Sequence, residues 1–76
     1  MEYIATFFSH FGALNFARQL GKSAQLMPVP RFLSSSCGTC VRFCQEQLQL
    51  PPVLDELDAV YLTDETPPRV VYRHPH

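Results

Sequence analysis

Apolar and polar residues follow each other in short runs that predict a strand and then a helix. Residues 3–8 are β-branched and aromatic, which is typical of a buried strand. Ser9 is suited to cap a helix and Gly21 to end one. Between them, apolar side chains recur at helical spacing: Phe11, Leu14, Ala17 and Leu20. The pattern therefore predicts a first strand followed by a helix between Ser9 and Gly21.

Two prolines mark the second predicted strand, residues 24–30, as the edge of a sheet. Pro28 and Pro30 lie two positions apart, so both missing N–H groups lie on the same side of the strand. That side cannot be paired along its length, which favours an edge position. A third strand is predicted at residues 39–44, after a serine-rich loop.

The rest of the chain predicts a second helix and a final strand. Pro51 and Pro52 suit a first helical turn, and three residues would form the apolar face of that helix: Val53, Leu54 and Leu57. Residues 60–62 and 70–72 predict a last strand interrupted by a turn at 64–68. The order strand, helix, strand, strand, helix, strand predicts an α+β fold of the ferredoxin-like split βαβ type (βαββαβ). Its antiparallel sheet would carry the helices on one face.

Length and charge narrow the classes of function. Seventy-six residues predict a single domain, 1–76, with residues 73–76 as a loose tail. With six basic and seven acidic residues there is no basic stripe, which argues against a nucleic-acid partner. No apolar run is long enough for a membrane helix, and no signal peptide is visible. We therefore expect a cytoplasmic protein with reduced thiols, either a monomer or a homodimer.

Cys37 and Cys40, in Cys37-Gly38-Thr39-Cys40, are the residues most indicative of chemistry. Two thiols three positions apart can contact a metal, each other or a transferred sulfur atom. To accept sulfur or selenium, a cysteine must be exposed and ionised. The hydroxyls and N–H groups of the serine loop can donate to a sulfur anion, and Gly38 lets the backbone approach closely. The loop and its candidate cations comprise Arg31, Ser34, Ser35, Ser36 and Arg42.

Several motifs in the first half of the chain resemble one known family. They are Thr6-Phe7-Phe8-Ser9, Pro28-Val29-Pro30-Arg31 and Ser34-Ser35-Ser36-Cys37-Gly38. They are similar to motifs of the putative selenium/sulfur carrier protein-like family, which comprises small bacterial and archaeal domains. The resemblance implies that Cys37 is the carrier cysteine, framed by Arg31, Ser34, Ser35 and Gly38. It implies an accessory protein rather than an enzyme, with donor and acceptor proteins as partners. Cys40 and Cys44 are not part of the family pattern.

The residues leave the role of the second thiol open. Cys40 could attack the loaded Cys37 and release the chalcogen, leaving a disulfide. Val41 and Phe43 look more suited to a core than Cys40, which favours Cys40 on the exposed face of its strand. The alternative for Cys40 is a small buried hydrophobe. Cys44 is expected to be a small buried hydrophobe.

Three other interpretations remain open for the cysteines. The pair has the spacing of a dithiol redox motif, but a strand follows it where a helix would be expected. A metal site would need further ligands, drawn from four residues: Cys44, His10, His74 and His76. Alternatively, the loop is a recognition surface without chemistry of its own. We expect four aromatic residues to lie in the core or partly in it: Phe7, Phe8, Phe11 and Phe16. Phe32 and Leu33 are expected to anchor the loop to the core.

Overall fold

The structure, a computed structural model, describes residues 1–33, 37–51 and 55–75. Its elements follow the chain in the order β1 (Glu2–Phe7), α1 (His10–Leu20), a single 3₁₀ turn (Gly21–Ser23), β2 (Ala24–Pro28), β3 (Thr39–Cys44), β4 (Leu57–Leu62) and β5 (Arg69–Arg73). In the part of the chain that is described, no helix is long and apolar enough to cross a membrane.

All five strands form one antiparallel sheet in the order β2-β3-β1-β4-β5. β3 therefore lies between β1 and β2, and β2 is an edge strand. The edge position predicted from the prolines is confirmed, although β2 ends at Pro28 rather than at Pro30. Pro28 can occupy this place because an outer edge requires no N–H donor.

The α+β class and the antiparallel sheet are confirmed, but the full ferredoxin-like layout is not. The sheet has five strands, and the described residues contain one α-helix. The predicted second helix falls partly on residues 52–54, which lie outside the described residues. Leu57, expected on the apolar face of that helix, is instead the buried first residue of β4. Residues 60–62 and 70–72 belong to two separate strands, β4 and β5, which pair as neighbours.

Helix α1 begins and ends as the sequence predicts. The Ser9 hydroxyl oxygen accepts a hydrogen bond from the Gly12 N–H at 3.0 Å, and Gly21 ends the helix with a φ of +71°. The chain segment before β4 also contacts the start of the helix. Phe8 N–H donates to the Glu56 carbonyl at 2.9 Å, and the Ser9 hydroxyl donates to the Glu56 carboxylate. A carboxylate at this end is favoured by the helix dipole.

The main core lies between α1 and one face of the sheet. Phe16 of α1 packs between Phe7 and Phe43, with ring centroids 5.1 and 5.5 Å away, and Tyr3 stacks on Phe43 at 5.4 Å. The buried residues of this cluster are Tyr3, Ala5, Phe7, Ala13, Phe16, Val41, Phe43, Leu57, Val60 and Leu62.

Two aromatic residues expected in the core are exposed. Phe11 is 69% exposed and Phe32 is 63% exposed. The buried face of α1 is built on Ala13 and Phe16. Phe11 precedes Ala13 by two positions, which corresponds to about 200° around the helix, so its ring points away from the sheet.

The end of the described chain is held to the sheet, unlike the loose tail expected at 73–76. Arg73 is the last residue of β5. His74 N–H donates to the Asp58 carbonyl at 2.7 Å, and the His74 ring lies edge-on to Phe8 with centroids 5.3 Å apart. These contacts continue the pairing between β4 and β5 past the end of the strand.

Candidate functional site

The Cys37 loop lies at the end of the sheet where helix α1 starts. β1 and β3 are antiparallel, with Thr6 opposite Cys40. The end of β1, the start of α1 and the start of β3 are therefore neighbours. A side-chain hydrogen bond confirms this placement, because His10 Nδ1 lies 3.1 Å from Thr39 Oγ1.

Cys37 lies on a turn whose backbone is set by Gly38 and by a hydrogen bond to the end of β2. Its side chain is half-buried, and the Sγ–H donates to the Thr39 carbonyl at 3.3 Å. Gly38 has a φ of +75°, a conformation that L side chains rarely adopt. Among the described residues, none beyond the chain neighbours of Gly38 lies within 4 Å of a Cβ built there, so the constraint that they leave at Gly38 is its backbone conformation. Val29 N–H donates to the Gly38 carbonyl at 3.1 Å and fixes the turn to the end of β2.

Cys40 is buried, contrary to the expectation that it faces solvent. It has no exposed surface, and it lies in the middle of the sheet between Thr6 of β1 and Met27 of β2. Its Sγ–H donates to the Pro28 carbonyl at 3.7 Å. Burial, together with a smaller effect from the charge of a Cys37 thiolate, raises the pKa of the Cys40 thiol to about 11. Cys40 is therefore a weak nucleophile at neutral pH.

All three cysteines are thiols in the structure, and they differ in exposure. Cys37 is half-buried, Cys40 is buried and Cys44, at the end of β3, is exposed. The expectation that Cys44 is a small buried hydrophobe is wrong. Cys44 lies on the same face of β3 as the exposed Arg42, whereas the buried Val41 and Phe43 lie on the opposite face.

Only some of the residues that were predicted to surround Cys37 are described by the structure. Ser34, Ser35 and Ser36 lie outside the described residues, so their roles stay predictions. Arg31 is exposed in a turn closed by a hydrogen bond from Leu33 N–H to the Pro30 carbonyl at 3.0 Å.

Arg42 is engaged elsewhere on the sheet. Its guanidinium donates to the Glu2 carboxylate at 3.1 Å and to the Gln25 side-chain oxygen at 2.9 Å. Arg42 lies three residues beyond Thr39 along β3, and three residues of strand span about 10 Å. The carboxylate partner also offsets its positive charge. The structure therefore does not support Arg42 as the cation that activates Cys37.

A comparison with known protein families finds a match over most of the chain. The family model for putative Se/S carrier protein-like domains matches residues 2–61. The chain belongs to this family. The match contains the Cys37 turn, α1 and nearly all of the strands up to β4, whereas β5 lies outside it. No curated protein and no solved structure matches the chain.

In this Se/S carrier-like domain, the described residues contain no group of three or more Cys, His, Asp or Glu side chains that could hold a metal ion. His10 lies at the start of α1, bonded to Thr39, whereas His74 packs against Phe8. His76 lies outside the described residues. The two candidate histidines in the described residues thus have different side-chain partners.

A cleft of about 350 Å³ lies between α1 and the segment that leads into β4. Phe11, Asn15 and Glu56 are among the residues that line it, and the described part of the Cys37 turn does not contribute. The candidate site of this Se/S carrier-like domain is therefore a surface turn rather than this cleft.

His10 is a site residue that the sequence pattern did not single out. The sequence indicates it only as a candidate metal ligand, and a histidine after an N-cap is more often solvated. Its contact with Thr39 spans 29 positions of the chain. The predicted strand order could have indicated it, since that order brings the end of β1 beside the start of β3.

The burial of Cys40 predicts a change of stability with pH. The unfolded chain has the ordinary thiol pKa of 9.0, whereas the folded protein has a pKa of about 11. Between these values the folded state binds more protons than the unfolded state. The contribution of Cys40 is therefore complete below pH 9.0 and is lost as the pH rises to about 11. Two pH units correspond to about 3 kcal/mol of unfolding free energy.

Urea unfolding at a series of pH values between 9.0 and about 11 measures this loss. We expect the Cys40→Ala chain to lose less stability across this range than the parent chain. Cys44→Ala is the matched control, because Cys44 is exposed and should leave the decline unchanged. Parallel declines in the parent and Cys40→Ala chains would show that Cys40 ionises equally well in the folded state.

Proposed function

We propose that this protein carries sulfur or selenium on Cys37 and passes it from a donor enzyme to an acceptor. The observation that supports this most is the half-buried Cys37 thiol on a turn fixed by Gly38, in a chain that belongs to the Se/S carrier-like family. Such a thiol is accessible to a second molecule and still has a defined position. We further propose that the exchange takes place in the cytoplasm, where thiols are kept reduced.

Loading is a transfer of a sulfane sulfur atom without net oxidation. The Cys37 thiolate attacks the outer sulfur of a donor persulfide, R–S–SH. A bond forms between Cys37 Sγ and that sulfur, the donor S–S bond breaks, and the donor leaves as the thiolate RS⁻. The product is a persulfide on Cys37, and selenium would be held in the same way as a perselenide. The protein supplies a binding thiol, so its role is that of an accessory protein rather than an enzyme.

Among the three thiols, Cys37 suits this role best. Cys40 is buried, and its raised pKa disfavours the thiolate that must attack the donor. Cys44 is exposed but lies at the far end of β3, away from Gly38.

Release is best assigned to a nucleophile on the acceptor. It attacks the outer sulfur of the Cys37 persulfide, takes that atom and returns Cys37 to the thiolate. The alternative, in which Cys40 attacks Cys37 Sγ and expels hydrosulfide, would leave a disulfide that needs two electrons to reopen. The burial of Cys40 in the centre of the sheet gives that route less support.

Cyanide provides a simple acceptor for testing this function. The protein is treated with glutathione persulfide, separated from small molecules and exposed to cyanide, which converts a persulfide sulfur to thiocyanate and leaves the thiol. We expect about one thiocyanate per chain, since the proposal rests on a single carrier cysteine. A yield no greater than that of a protein without cysteine would overturn the proposal.

A further inference from the structure

We propose that His10 is a positioning residue for Cys37 and that it acts through Thr39. The two side chains are joined by the hydrogen bond between His10 Nδ1 and Thr39 Oγ1 at 3.1 Å. The imidazole tautomer decides which of the two donates. Through this bond, the first residue of α1 is tied to the first residue of β3.

Thr39 connects this bond to the carrier thiol. Its carbonyl accepts the Cys37 Sγ–H at 3.3 Å, while its side chain contacts His10. Pairing between β1 and β3 begins at Cys40, so Thr39 lies beyond the β1 register. On that side of β3, the bond to His10 takes the place of strand pairing in holding Thr39.

The bond from Cys37 to Thr39 has a direct consequence for reactivity. The Sγ–H can donate to a carbonyl only while the thiol is protonated, and the bond must break before the sulfur attacks an electrophile. By fixing Thr39, His10 keeps the unloaded thiol turned towards the carbonyl. This inference gives the proposed function a regulatory feature, in which Cys37 is held back until a donor displaces the contact.

Alkylation by iodoacetamide tests the inference without any chalcogen. The measurement uses the full chain carrying Cys44→Ser, so that the exposed Cys44 does not react. Either His10→Ala or Thr39→Val should raise the alkylation rate of Cys37 about two- to tenfold, the range expected for one hydrogen bond. The double variant should react no faster than the faster single variant, because both changes remove the same contact. His10→Asn should restore the slow rate, since an amide can donate or accept at this position.

Unchanged rates in both single variants would overturn the inference, as would effects that simply add in the double variant. Circular dichroism of each variant checks that the fold is intact, because a chain that unfolds would expose Cys40 as well. A failure to load sulfur would contradict the proposed function but leave these rates untouched. The two ideas can therefore fail independently.

Discussion

Replacing Cys37 by serine should reduce thiocyanate release from the treated protein to background. A serine hydroxyl differs from the thiol by one atom and fits the same turn, but it does not form a persulfide. The turn itself depends on Gly38 and on the bond from Val29 N–H to the Gly38 carbonyl, neither of which involves the Cys37 side chain. The loss should therefore reflect chemistry rather than a change of fold.

Cys44→Ser is the matched control for this experiment. It also replaces a sulfur atom by oxygen, but at the exposed Cys44 at the end of β3. We expect it to leave the thiocyanate yield unchanged. The reverse outcome, in which Cys37→Ser keeps the yield and Cys44→Ser loses it, would move the carrier role to the far end of β3.

Replacing Phe43 by alanine should lower the free energy of unfolding by about 3–5 kcal/mol. Phe43 is 1% exposed, and its ring contacts those of Tyr3 and Phe16 at centroid distances of 5.4 and 5.5 Å. Alanine would leave a cavity between α1 and β3. For a domain of 76 residues the total stability is about 4–11 kcal/mol, so this single change removes a large part of it.

Phe11→Ala is the control, because it removes the same ring from a side chain that is 69% exposed. Its effect should stay within about 0.5 kcal/mol, as is usual for surface positions. Guanidinium unfolding of the three chains measures both changes. Equal losses for Phe43→Ala and Phe11→Ala would mean that the core does not lie between α1 and β3.

The features that sequence predicted well are those that depend on neighbouring residues. Ser9 and Gly21 bound α1 because capping and left-handed backbone are local properties. Pro28 indicated an edge strand because a missing N–H is a property of one residue. The motif around Cys37 and Gly38 identified the family for the same reason.

The features that sequence predicted poorly depend on contacts between distant segments. Alternation along β3 suggested that Cys40 faces solvent, but Cys40 is buried and its thiol contacts the Pro28 carbonyl of β2. Arg42 looked like a cation for Cys37, yet it pairs with Glu2, which is 40 positions away. The contact of His10 with Thr39 is of the same kind. Each requires the strand register, which a local pattern does not determine.

The most direct test of the carrier role is the intact mass of a chain in which Cys37 is the single cysteine. The variant Cys40→Ala/Cys44→Ser is treated with glutathione persulfide, desalted without reductant and weighed. The account predicts a gain of one sulfur atom per chain, which cyanide removes. No gain in mass by this folded chain, with a gain in the parent protein, would contradict the claim that Cys37 alone carries the chalcogen.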